Sequence, residues 1–426
     1  MECVPTHAVL RGLLPTFGNL IHDSSKPVRL AAVAMLQKVK KIKGFKYYNV
    51  VPVDHLKARL RDEGRISSRD NENDLMYLRS PVASALTKLM MNSFLPQNEG
   101  VDVAEQVRRT LEFLSEDPGA ALVFYANLSD HLPPKAIIKL ANIMLRCFKS
   151  AIGKEKKMRE EGEKCFESKS SQDRIDLRAS NTALMATLTK AISVLLESIL
   201  DELEYDEEAY QRLLGAFSGT LLTDAIRYFE TEALEFDEEM EESTKMDLHS
   251  VRSALLQCAG MLEPRNVDGL VHHIYNSLRL LSSRTNDHSE LPLQNATSHM
   301  GLFCQWDMTE DVASCLASSL ASAFDDLHDG GGALLLSPAS AHSKKRRSSR
   351  NGRRSSMGNE SALPNLPADT ALEMLCQILN GSEPLHLSAR IHLTHSTKAR
   401  TTLLSALEQG TLYAGRLLRT ASVSWL

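Results

Sequence analysis

One stretch limits the fold more than any other. After the turn Asp23-Ser-Ser-Lys-Pro27, apolar residues fall at Val28, Ala31, Ala32, Met35, Leu36, Val39 and Ile42. Those offsets trace one continuous face of an α-helix, and an alternating strand cannot gather them on one side. Pro27 fits the first turn of that helix, where its missing N–H is not needed. The residues before the turn, His7 to Ile21, carry a second stripe through Val9, Leu10, Leu13, Leu14, Phe17, Leu20 and Ile21. The reading is two amphipathic helices joined by a short turn.

The same arrangement recurs along the chain. Further helices are predicted over Val53–Arg61, through the stripe Val82-Leu86-Leu89-Met90, over Val103–Leu114 and Ala120–Leu128, and through Ile137-Ala141-Met144-Leu145-Phe148. Others follow over Ser180–Leu203, Ala209–Phe229, Met246–Leu262, Val267–Ser282, Val312–Leu327, Thr370–Leu379 and Lys398–Leu407. Helix pairs repeating at roughly 40 residues predict an all-α, HEAT/armadillo-type helical-repeat superhelix. Composition agrees: aromatics are 5% of the 426 residues, with only 21 Gly and 15 Pro, too few for an all-β chain.

The expected organisation has five parts. Residues 1–152 are helical repeats, 153–179 a charged loop or a protruding helix end, and 180–328 further repeats. Residues 329–368 hold Gly330-Gly-Gly, serines and a basic run, and read as a disordered loop. Residues 369–426 read as a repeat remnant. Both ends lack a polar capping repeat and suggest a piece of a longer array.

Several function classes find no support. No window of 18 apolar residues occurs, and Met1–Leu20 has no signal-peptide core, so no membrane association is expected and the chain should lie on the cytosolic or nuclear side. The seven Cys are scattered without a C-x-x-C pair. There is no G-x-S-x-G, P-loop or H-E-x-x-H motif, and Gly330-Gly-Gly is followed by Ala-Leu-Leu-Leu rather than Lys. His272-His273 and His392/His395 lack a nearby third ligand, so they read as surface or helix-end histidines. No catalysis, metal or cofactor is expected.

Net charge is −5, but it is segregated. Residues 38–69 carry ten Lys/Arg against three acids, residues 201–242 carry fifteen Asp/Glu against two arginines, and residues 344–354 carry seven Lys/Arg and no acid. The acidic run Glu235–Glu242 lacks calcium-loop spacing and reads as a solvated face, or as a contact for a basic partner.

The turn around Pro27 resembles the HEAT-repeat consensus: Pro15 in the first helix, Asp23 in the turn, and Pro27-Val28-Arg29 opening the second helix. Asp23 can accept hydrogen bonds from freed backbone N–H groups, and Arg29 can reach an Asp of its own or the adjacent repeat. Asp23, Pro27, Val28 and Arg29 are thus expected to build the repeat. Over wider stretches, HDSSKPVRLAAVAMLQKVKKIKGFKYYNVVPVDHLKARL (22–60) and SPVASALTKLMMNSFLP (80–96) are similar to the HEAT-repeat G subunits of condensin II. The similarity breaks at Ile66–Ser80, which reads as an insert.

That resemblance implies a non-enzymatic regulatory subunit that docks on the kleisin of an SMC ATPase pair. It also implies double-stranded DNA or chromatin contact during mitotic chromosome condensation and segregation, hence a nuclear and chromosomal location. The residues that could grip duplex phosphates are Lys38, Lys40, Lys41, Lys43 and Lys46 at the end of the second helix, and Lys57, Arg59 and Arg61 on the next. Lysines at a helix C-terminus also favour the helix dipole, which is a purely structural reason for some of them. Lys344, Lys345, Arg346, Arg347, Arg350, Arg353 and Arg354 read as a nuclear-localisation signal for an import carrier, or as a basic tether. Ser348, Ser349, Ser355 and Ser356 follow arginines, and Ser337 precedes Pro338. All five are candidate phosphorylation sites. The rival readings are a karyopherin-like transport receptor, which would bind a small GTPase, and a phosphatase scaffold.

Overall fold

The computed structural model describes residues 4–42, 45–70, 78–95, 103–164, 171–203, 205–217, 221–232, 241–283, 290–329, 363–364, 366–381 and 383–408. Among these, every regular element is helical and no strand occurs. The fold is all-α, as its sequence predicts. It divides into two units, Met1–Met261 and Leu262–Leu426, so the boundary falls inside the stretch 180–328 that reads as one array.

The first unit contains α1 (Val4–Gly18), α2 (Lys26–Lys40), α3 (Val53–Asp70), α4 (Pro81–Phe94), α5 (Val103–Glu116), α6 (Pro118–Ala126), α7 (Pro134–Lys164) and α8 (Ser171–Glu197). After these come α9 (Leu200–Leu203), α10 (Glu207–Phe217), α11 (Leu221–Arg227), one π-helical turn at Tyr228–Glu232, and α12 (Glu242–Gly260). Local chemistry sets the starts. Ser80 accepts from the Ala83 N–H at 3.0 Å to open α4, and Asp117 accepts from the Ala120 N–H at 3.1 Å to open α6. In both helices proline follows the cap, where no backbone donor is lost.

The helices stack in tiers. α2 packs on α4, α4 on α6, α6 on α8, and α8 on α12, while α3 packs on α6, α5 on α8, and α7 on α10. Polar cross-ties join neighbouring tiers. The Gln37 amide donates to the Ala85 carbonyl at 2.9 Å, the Lys40 ammonium to the Leu89 carbonyl at 2.9 Å, and the Asn127 amide to the Leu78 carbonyl at 2.9 Å. Between them Leu36, Leu56, Leu60, Val82, Leu86, Phe113 and Phe124 are wholly buried. Phe94 stacks on Phe113 at 4.0 Å, with Phe124 edge-on to both.

The second unit holds α13 (Asp268–Ser283), α14 (Glu290–Gln305), α15 (Thr309–Asp329), α16 (Ala368–Asn380), α17 (Pro384–His395) and α18 (residues 397–408). α14 is its centre, packed on α13, α15, α16 and α17. Gly301 permits this, since a Cβ there would run into the Leu385 carbonyl. Leu366 docks on α15: its N–H donates to Ser319 at 2.9 Å, and it is 3% exposed.

Several expectations are corrected. Residues 153–164 continue α7 and residues 171–179 begin α8, so of the two readings of 153–179 these parts take the helical one and are not loop. Lys, Glu, Arg and Met are good helix formers, and Glu155, wholly buried, pairs with Arg178 at 2.7 Å to lock the two helices. α3 runs on to Asp70 rather than stopping near Arg61. α14 and α17 lie where no helix is predicted. On α2 the buried face is Arg29, Ala32, Val33, Leu36 and Val39, rotated from the predicted stripe, and Ala31 is exposed. The C-terminal end of the expected loop 329–368 is docked rather than free. One helical stretch, Asp176–Glu197, is long and apolar enough to cross a membrane by composition alone, but 67% of its apolar window is buried inside the fold, as in a core helix.

Candidate nucleic-acid interface

The eight predicted DNA-contacting cations do not form one surface. Lys38, Lys41 and Lys46 are exposed at the C-terminal end of α2 and the turn after it. That turn, Tyr47–Asn49, is a single 3-10 turn held by Tyr47, whose hydroxyl shares a hydrogen bond with Ser93 at 2.7 Å. Burial raises the Tyr47 pKa, so it stays a neutral anchor. Tyr48 is exposed beside it, and the Lys46 ammonium lies 5.4 Å from its ring centre. The Tyr48 hydroxyl also raises the Lys46 pKa through a hydrogen bond, which keeps that cation charged. Lys43 lies outside the described residues.

The other four are committed elsewhere. Lys40 is half-buried and donates to the Leu89 carbonyl, and desolvation lowers its pKa. Lys57 is 9% exposed. Its ammonium pairs with Glu116 at 2.8 Å and sits 5.8 and 5.9 Å from the ring centres of Phe94 and Phe113. Arg59 is 6% exposed and gives two N–H groups to Glu63, at 3.0 and 2.6 Å. Arg61 makes a bidentate pair with Asp117, at 3.0 and 2.5 Å, which raises the Arg61 pKa. Lys57, Arg59 and Arg61 sit on the sides of α3 that face α5, α6 or the start of α2, so these cations are engaged by packing partners. This corrects the expectation for Lys57 and Arg59, whose side chains are inside.

The expected turn residues do assemble. The Asp23 carboxylate accepts from the Ser25 N–H at 2.7 Å, and Pro27 occupies the first turn of α2. Arg29 reaches the turn through backbone: its guanidinium donates to the carbonyls of Asp23 and Ser24 at 3.0 and 2.8 Å. Its carboxylate partner is Glu63, not an aspartate. Val28 is half-buried beside them.

A second feature escaped the sequence reading. An open, polar groove of about 550 Å³ runs between α2, α4 and the turn after α6, lined by Gln37, Ser84, Lys88, Asn127 and the Arg79–Asp130 pair at 2.6 Å. Asn127 is wholly buried, and its amide oxygen has no partner. Single polar residues spaced 40–50 apart give no local signal of such a groove. Among the described residues, no group of three or more His, Cys, Asp or Glu is placed to hold a metal ion. The basic run Lys344–Arg354 and the serines at 337, 348, 349, 355 and 356 lie outside the described residues.

Comparison with known proteins adds a relationship to this geometry. The chain is 28% identical over 233 residues to the condensin-2 complex subunit G2 of Homo sapiens. It is 28% identical over 228 residues to that of Mus musculus, and 27% over 231 residues to that of Danio rerio. Each match covers 52–53% of this chain and 18–19% of the relative. No family model and no solved structure matches the chain. Over about half of its own length, this all-α chain is similar to the condensin-2 complex subunit G2 proteins, of which it spans less than a fifth.

Proposed function

We propose that this chain is a non-catalytic helical scaffold of a condensin II complex, acting in mitotic chromosome condensation and segregation. The observation that carries the reading is the similarity to condensin-2 complex subunit G2 in three vertebrates, joined to a tiered all-α first unit. In this reading the tiers are HEAT-type repeats, and ATP hydrolysis belongs to the SMC partners. The polar groove between α2 and α4 suits an extended segment of the kleisin. Lys38, Lys41 and Lys46 hold duplex DNA by its phosphates, without base readout. The run Lys344–Arg354 directs the chain to the nucleus and chromosomes through an import carrier, and phosphates on the neighbouring serines would weaken that contact.

The test is to express the tagged chain in dividing cells and identify what co-purifies at moderate salt. A kleisin with the SMC ATPase pair is the expected result. Recovery of a small GTPase or of a phosphatase catalytic subunit in their place would overturn the reading in favour of a transport receptor or a phosphatase scaffold.

A further inference from the structure

The longest helix carries an unused line of charge. α7 spans 31 residues and buries Ile137, Ala141, Met144, Leu145 and Phe148 against the core. Its outer side holds Lys139, Arg146, Lys149, Lys154 and Lys157, all exposed, and none has a carboxylate partner among the described residues. At 100° per residue, Lys139, Arg146 and Lys157 fall within about 20° of one line, with Lys154 and Lys149 about 60° and 80° to either side. At 1.5 Å per residue the line is about 27 Å long.

The neighbouring charges define its limits. Lys135, at the N-terminal end, is neutralised by Glu208 at 3.5 Å and Asp206 at 3.9 Å on the side of α10. Lys156 lies over the Tyr228 ring at 4.8 Å. Glu155 is the one acid between Lys135 and Lys157, and it is wholly buried on Arg178. None of the five cations lies in the last turn of α7, so attraction to the helix dipole does not account for them.

The face also has no apolar anchor: no large hydrophobic side chain of α7 is exposed among the described residues. A membrane surface or a protein hot spot would call for one. A straight row of point charges fits a stiff, regularly charged rod, and about 27 Å matches some eight base pairs of duplex at about 3.4 Å per phosphate on each strand.

We infer that the outer face of α7 is a second contact for the duplex-DNA backbone, separate from the α2 lysines and blind to sequence. The inference rests on the proposed DNA contact, which has the same ligand. Its test titrates the full chain into a labelled 30-base-pair duplex between 50 and 200 mM salt. Two variants are compared: an α7 set, Lys139→Gln, Arg146→Gln, Lys149→Gln and Lys157→Gln, and an α2 set, Lys38→Gln, Lys41→Gln and Lys46→Gln.

The expected result is that the α7 set binds at least ten-fold more weakly at 100 mM salt. Its log–log salt slope should fall by about 3.6, at roughly 0.9 for each of the four lost phosphate contacts. A set of Lys139→Arg, Lys149→Arg and Lys157→Arg keeps the wild-type slope, which separates charge from folding. An α7 set that binds like the wild type overturns the inference, and the α2 set then reports on the first contact alone. Competition by polyglutamate as effective as by duplex of equal charge also overturns it, in favour of an acidic protein partner. Absence of duplex binding by the wild type at 50 mM salt removes both contacts.

Discussion

Arg29 on α2 and Glu63 on α3 meet inside the first unit, Nε to Oε1 at 2.8 Å, thirty-four residues apart. The same carboxylate takes both N–H groups of Arg59, and its second oxygen accepts the Ser80 hydroxyl at 3.3 Å. One acid therefore joins the start of α2, the middle of α3 and the cap of α4.

Glu63→Ala leaves two buried guanidiniums without a counter-charge. Removing one partner of a buried ion pair costs about 3–5 kcal/mol, so chemical denaturation should show a loss of that size. A cycle of Glu63→Ala, Arg59→Ala and the double variant should be strongly non-additive, because the three groups share one oxygen. Additive losses would mean that the arginines find other partners.

Arg59→Ala and Lys38→Gln test opposite ideas about cations twenty-one residues apart. The first should lower the melting temperature, because a buried, hydrogen-bonded charge and its packing are lost. The triple variant Lys38→Gln, Lys41→Gln, Lys46→Gln should melt like the parent and lower the salt slope of duplex binding by roughly 2–3. Circular dichroism melts with anisotropy titrations separate the two outcomes.

Asp117 both caps α6 and holds Arg61. Asp117→Asn keeps an oxygen for the Ala120 N–H and loses the ion pair, whose Arg61 end is partly exposed. Its cost should be small, below about 1 kcal/mol. Asp117→Ala loses the cap as well and should cost about 1 kcal/mol more. Equal losses for the two variants would show that the cap contributes nothing.

Thiol reactivity should follow burial. Desolvation pushes Cys258 and Cys304 up to about 12 and Cys315 up to about 11. At pH 8 all three stay protonated, and the thiolate is the reactive form. Cys376 is exposed. Ellman's reagent should therefore modify Cys376 in the native chain, and Cys258, Cys304 and Cys315 only after denaturant is added. Labelling of Cys258 in the native state would show that α12 opens from α8.

Gly301→Ala puts a methyl where α14 touches the Leu385 backbone. Overpacking of this kind costs about 1–3 kcal/mol, and the second unit should lose stability while the first does not. Proteolysis sites mapped under mild denaturant should shift into Leu262–Leu426.

The helix class was plain from spacing, because a period of 3.6 over many residues has no other physical source. α14 was hidden because its buried Leu293, Ala296, Met300 and Phe303 are interleaved with Asn295, Thr297, Ser298 and His299, which look like loop. Two of them are hydrogen-bonded inside the fold: Thr297 and Ser298 donate to Gln377 and Glu383. The basic patch misled for the reverse reason. Lys57 and Arg59 look like solvated cations in sequence, and the carboxylates that draw them inward sit at Glu116 and at Glu63. The α7 row was obscured by Glu155, which counts against it in sequence and turns inward in the fold.

The cross-ties between tiers have a mechanical meaning. Gln37 to Ala85, Lys40 to Leu89 and Asn127 to Leu78 each reach one neighbour and no further. A load applied along such a stack is shared by the two α2–α4 ties and then passes in series to the Asn127 tie, so extension adds up tier by tier. The first unit should therefore yield as a compliant spring, by small separations at many contacts, before any single helix pair comes apart.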